Sequence, residues 1–104
     1  MKKKVQDHFG QERLEELSHV LKRIHPGFGR VPWFKVLRAI HHETGGGEGG
    51  FELANRWSSQ GQNYMGSKDV RKHWQSIKSG PRPITLLSLI WMARLMTMLY
   101  GAQK

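Results

Sequence analysis

Six basic side chains in the second half of this 104-residue chain, Arg56, Lys68, Arg71, Lys72, Lys78 and Arg82, have the types and spacing to hold a polyanion. Lys68 and Lys72 are four residues apart, and Lys68 and Arg71 three, so on a helix they share a face. Like charges gathered on one face repel, and the arrangement makes physical sense when phosphate occupies it. The other constellations carry less chemistry. His41-His42-Glu43 has the composition of a metal site, but adjacent side chains on a helix diverge by about 100° and no His-Glu-x-x-His spacing follows. The glycine run from Gly45 to Gly50 lacks the Gly-Lys-Ser/Thr of a nucleotide phosphate loop. Asp7 and Asp69 are the only aspartates, and Asp69 is the only acid after residue 52, so a carboxylate pair for magnesium is poorly supported. No nucleophile elbow or triad segment can be traced among the serines and histidines. The absence of cysteine excludes disulfides, thiol catalysis and cysteine-held zinc or iron–sulfur sites. These residues predict a binding module, without enzymatic activity, metal or cofactor.

The charge balance points the same way. Seventeen Lys and Arg against eight Asp and Glu give a net charge of +9. Residues 53–104 carry +7 of it, and residues 5–52 sum to −1 once the Lys2-Lys3-Lys4 start is set aside. An excess of this size favours contact with phosphates and speeds encounter with a polyanion, although charge alone does not separate DNA from RNA, an anionic membrane or an acidic protein. Length and composition, with 38% hydrophobic and 24% charged residues, suit one small folded domain and not two.

The elements that must position the basic face are helices. Leu14, Leu17, Leu21 and Ile24 recur on one side of a helix from Gln11 to about Ile24, stopped by Pro26-Gly27. Trp33, Val36, Leu37 and Ile40 form the apolar face of a second helix from about Pro32 to His42. The Gly45–Gly50 run predicts a turn or flexible loop. Phe51, Ala54 and Trp57 mark a short third helix ending before Gly61. Ser67 is placed to cap a fourth, with Val70, Trp74 and Ile77 facing inward and Gly80-Pro81 ending it. Thr85 is placed to cap a fifth, in which Leu86, Leu89, Ile90, Ala93, Leu95 or Met96, and Met98 or Leu99 face neighbours. That last helix is too short and too polar, with Thr85, Ser88, Arg94 and Thr97, for a membrane span, and is expected to be the covered, central member of the bundle. The expectation is an all-α fold, a compact bundle of about five short helices over residues 11–100, with a flexible basic arm at 1–10 and a tail at 101–104. No signal-peptide stretch follows the basic start, so a cytoplasmic protein is expected. Trp33, Trp57 and Trp74 lie on apolar stripes and are expected in the core, against the competing reading of a stacking platform for bases.

One ordered set of segments also resembles a known family. Trp33-Phe34-Lys35-Val36, Ala39-Ile40-His41-His42-Glu43-Thr44-Gly45, Gly49-Gly50-Phe51-Glu52-Leu53, Trp57-Ser58, Tyr64, Val70-Arg71-Lys72-His73-Trp74, Ile84-Thr85-Leu86, Leu89 and Ala93 resemble the second type of primase C-terminal domain, over about Leu14 to Arg94. The resemblance implies a small helical domain of the kind attached to primases of phages, plasmids and mobile elements, often near a replicative helicase. It has no established catalytic set to carry over. It implies an accessory role in replication, with single-stranded or primer-template DNA, or a replicative primase-polymerase or helicase, as partner. Two alternatives stay open: a protein-interaction domain docking a primase or helicase with little DNA contact, and a small phage regulator reading duplex DNA through Lys68, Arg71, Lys72 and Gln75 of the fourth helix.

Overall fold

The leucine spacing of the first segment produces the longest helix of the computed structural model, α1 (Lys2–Leu21), whose Leu17 and Leu21 are buried. The structure describes residues 2–78 and 83–100, with side chains over 11–78 and 83–98. Helical backbone begins at Lys2 rather than Gln11, through the segment expected as an arm. At the other end α1 stops at Leu21, ahead of Pro26. There the Arg23 and Ile24 N–H groups donate to the Val20 and Leu21 carbonyls in tight i to i+3 bonds that keep Ile24 in the core.

Four more helices follow among the described residues: α2 (Arg30–Thr44), α3 (Glu48–Ser58), α4 (Ser67–Gln75) and α5 (Leu86–Tyr100), with no strand. The all-α bundle expected from the sequence is the fold of the protein. Trp33, Val36, Leu37, Ala39 and Ile40 of α2 are buried, and α2 packs against all four other helices, which makes it the centre of the bundle. Gly45, at φ 67°, ends α2 in the left-handed region where a side chain is strained, and the Gly46 N–H donates to the His41 carbonyl. The glycine run is not a loop to its end. Only Gly45 to Gly47 turn, and α3 begins at Glu48 with Gly49 and Gly50 inside it. A Cβ on Gly50 would collide with the Thr44 side chain, so the bare backbone lets α3 start directly against the end of α2.

Three tryptophans are core residues, and each explains a neighbour. The Trp33 Nε1–H donates to Ser58 Oγ at 2.8 Å, which satisfies the one polar residue buried among the described residues, and the Trp57 Nε1–H donates to the Ile24 carbonyl at 2.9 Å. Trp74 is 4% exposed, with its ring 6.0 Å from Phe51 and 4.8 Å from His41.

One expected cap, one expected helix end and one expected position are corrected. Gly66, not Ser67, occupies the N-cap of α4 and offers no side-chain cap; its φ of 102° suits a residue without Cβ. The helix ends at Gln75, before Gly80-Pro81, which lie outside the described residues, because the Ser76 and Ile77 N–H groups tighten the last turn onto the His73 and Trp74 carbonyls. At α5 the Thr85 carbonyl accepts from the Leu89 N–H, while the first N–H of the helix, that of Leu86, donates to Glu43 Oε2 on α2 at 2.8 Å. Finally, α5 is not the central member. It packs only on α1 and α2 through Leu89, Ala93 and Met96, while Leu87 (63% exposed), Trp91 (61%), Leu95 and Met98 (76%) face outward together with Ile90. Its uniform hydrophobicity carries no period to show which side is covered; α2, with one narrow apolar stripe and small Ala39, takes the centre. Among the described residues no helix is long and apolar enough to cross a membrane.

Candidate nucleic-acid interface

Helix α4 carries Val70 and Trp74 inward, and that phase fixes the direction of Lys68, Arg71, Lys72 and Gln75. Together with Ser67 and with Phe51 of α3, these four line a groove of about 290 Å³ between α3 and α4. The three basic residues whose spacing placed them on one face are thus brought to one concave surface. They are not equivalent.

Arg71 is already held. Its Nη1 and Nη2 donate to Glu48 Oε1 and Oε2 at 3.0 and 2.6 Å, a bidentate pair between α4 and the first turn of α3, and its Cζ lies 3.7 Å from the centroid of the Phe51 ring. The hydrogen bond from Arg71 holds the Glu48 carboxyl below its ordinary pKa, against the opposing effect of desolvation, and the Glu48 bond raises that of Arg71. Glu48 was not expected in the site, although its place eight residues after the end of the α2 stripe, in the first turn of α3, favours a carboxylate at the positive end of the helix. Lys68 and Lys72 are exposed and form no ion pair among the described residues. Arg71 accordingly forms the wall of the groove, and the two lysines supply its uncompensated charge.

The remaining candidates separate. Arg56 is exposed near the end of α3 and does not line the groove. Lys78 faces a second, smaller cleft of about 40 Å³ with Arg38, His41, His42, Ile77, Pro83 and Ile84. Arg82 lies outside the described residues. In the sequence His41 and His42 stand out only as candidate metal ligands, yet Arg38 is three and four residues before them, a spacing that already places the three on one helical face. Among the described residues no group of three or more His, Asp or Glu is arranged to hold a metal ion.

Asp69, the one acid of the second half, faces away from the groove into a separate cluster. Its Oδ2 is 3.5 Å from Arg30 Nη2, and its Oδ1 is 3.5 Å from Nδ1 of His73. Arg30 also lies 4.4 Å from the centroid of Trp33, so Asp69 serves the seam between α2 and α4, and the carboxylates that act on the groove's Arg71 are Glu48 and, at longer range, Glu52. Trp33, Trp57 and Trp74 are buried and offer no face to bases, whereas Trp91 on α5 is exposed with Arg94 Cζ 5.7 Å from its ring centroid.

Over residues 17–93 the chain matches the model of a protein family described as Primase C terminal 2 (PriCT-2). The matched stretch begins and ends on core residues, Leu17 and Ala93, and includes both basic clefts. No curated protein and no solved structure matches.

Proposed function

Since the chain belongs to the Primase C terminal 2 family, we propose that it is a non-catalytic accessory module of replication priming whose α3–α4 groove contacts the phosphates of single-stranded or primer-template DNA. The observation that carries this reading is the groove itself, which Lys68, Arg71 and Lys72 line together with Phe51 and in which, among the described residues, only Arg71 is neutralised. Charge supports the phosphate contact, and family membership supports the setting, the primase machinery of a phage, plasmid or mobile element in a bacterial cytoplasm. The groove offers cations and an aromatic floor but no base-reading pattern, so the contact positions a strand without reading its sequence.

Fluorescence anisotropy with single-stranded and primer-template DNA over a salt series tests it. Each single-strand phosphate contact contributes about −0.7 to the logarithmic salt slope, so Lys68→Ala/Lys72→Ala weakens binding across unrelated sequences and makes the slope shallower by about 1.4. No wild-type binding at low salt overturns the reading, and a strong preference for one duplex sequence replaces it with a duplex regulator. The protein alone neither polymerises nucleotides nor hydrolyses ATP; activity that survives removal of contaminants contradicts the accessory role.

The outward face of α5 favours a second reading, docking to the replicative primase or helicase. Leu87, Trp91, Leu95 and Met98 recur at helical spacing on a surface with Arg94 as the sole charge of the helix. An apolar stripe of this kind suits a partner helix or groove with an acid opposite Arg94. Trp91→Glu abolishes binding to that primase or helicase in calorimetry while leaving DNA affinity unchanged; loss of DNA affinity instead assigns the face to DNA.

A further inference from the structure

We infer that Arg38 and His42 of α2 and Lys78, in the segment after α4, form a second phosphate-binding site, separate from the α3–α4 groove. Three observations carry it. These side chains come from two places distant in sequence and meet at one cleft, with His41 beside them and Ile77, Pro83 and Ile84 as its apolar wall. None of Arg38, His42 and Lys78 forms an ion pair among the described residues. The carboxylate nearest in sequence, Glu43, is committed elsewhere, one oxygen to Arg13 Nη1 at 3.4 Å and the other to the Leu86 N–H at 2.8 Å. A cleft with converging cations and no acid in its lining has the chemistry of an anion site, and the fork of Arg38 suits two phosphate oxygens.

The identity of the ligand rests on the reading above. Trp74 touches a residue of each site, its ring 6.0 Å from Phe51 of the groove and 4.8 Å from His41 of the cleft. The chain running from Lys72 and Gln75 to Lys78 leads from one site to the other. A strand held by Lys68 and Lys72 therefore has a second station for a further backbone phosphate along the C-terminal end of α4. The proline and isoleucine wall offers an apolar surface for the sugar between phosphates.

Two measurements on the full chain decide it. In an NMR titration with inorganic phosphate, the amide resonances of Arg38, His42 and Lys78 shift saturably, apart from any response of Lys68 and Lys72. In anisotropy, Arg38→Gln/Lys78→Gln binds single-stranded DNA about tenfold more weakly at low salt and with a slope shallower by about 1.4, and combining it with Lys68→Ala/Lys72→Ala adds the two effects. Lys78→Gln alone, outside any helix, gives half the slope change and guards against a folding defect on α2. Phosphate shifts confined to Lys68 and Lys72, or an Arg38→Gln/Lys78→Gln variant with wild-type affinity and slope, overturn the second site. If the wild type binds no DNA, the proposed function falls, and the inorganic phosphate titration alone upholds or overturns the site.

Discussion

At the scale of single residues, the protein uses aromatic and charged side chains for opposite tasks. Trp57 and Trp74 fill the core, and truncating either leaves a large cavity; Trp57→Ala also strands the Ile24 carbonyl. Each substitution to Ala lowers unfolding free energy by about 3 to 5 kcal/mol, read from denaturant curves, and a change under about 0.5 kcal/mol contradicts the core role. His41 makes a pH-dependent contribution. Burial, and next the neighbouring His42, hold its pKa below the ordinary value, so the unfolded chain takes up the proton more readily than the folded one. The stabilisation is therefore complete above the ordinary histidine pKa of ~6.5 and is lost as pH falls through the lower folded value. Between about pH 7.5 and about pH 5.5 the wild type loses stability more steeply than His41→Gln. The slope is the readout, since losing the ring against Trp74 also lowers the level.

Among elements, the start of α5 is held by one carboxylate. Glu43 reaches from α2 to the first N–H of α5 and to Arg13 of α1, joining three helices at a side chain only 14% exposed. Glu43→Ala leaves the start of α5 uncapped and costs on the order of 1 to 2 kcal/mol, whereas Glu43→Gln keeps an acceptor and costs less. Hydrogen exchange locates the effect: amides of α5 exchange faster in Glu43→Ala, while those of α3 and α4, which do not pack on α5, keep their protection. Uniform acceleration across all five helices contradicts a local cap. In the sequence Glu43 stands out only as a companion of His41 and His42. A cap supplied from 43 residues away leaves no local mark.

For the whole molecule, the net charge of +9 acts on folding and binding with opposite signs. Cations on neighbouring helices repel, and salt screens that repulsion, so the melting temperature rises between about 0.05 and about 0.3 M salt. The same salt weakens DNA binding through competition with counterions. Calorimetry beside anisotropy on one protein sample checks the pair of trends; a melting temperature that falls with salt shows that ion pairs such as Arg71 to Glu48 outweigh the repulsion.

What the sequence determined by itself is whatever depends on local periodicity. The five helices, the buried Trp33, Trp57 and Trp74, and the shared face of Lys68, Arg71 and Lys72 all follow from three- and four-residue spacing, because helical geometry converts that spacing directly into direction. Only tertiary structure decided what each direction meets. Arg71 and Lys72 are adjacent and alike in charge, yet the approach of α3, made possible by Gly50, puts Glu48 and Phe51 against Arg71 and leaves Lys72 without an ion pair among the described residues. Lys78 falls into the cleft of Arg38 and His42 for the same reason, that partners distant in sequence are chosen by packing. Helix α5 marks the limit most clearly. A helix apolar on every side fits the centre of a bundle or its rim equally well by composition, and its place on the rim is set by which neighbours have surface left to cover it.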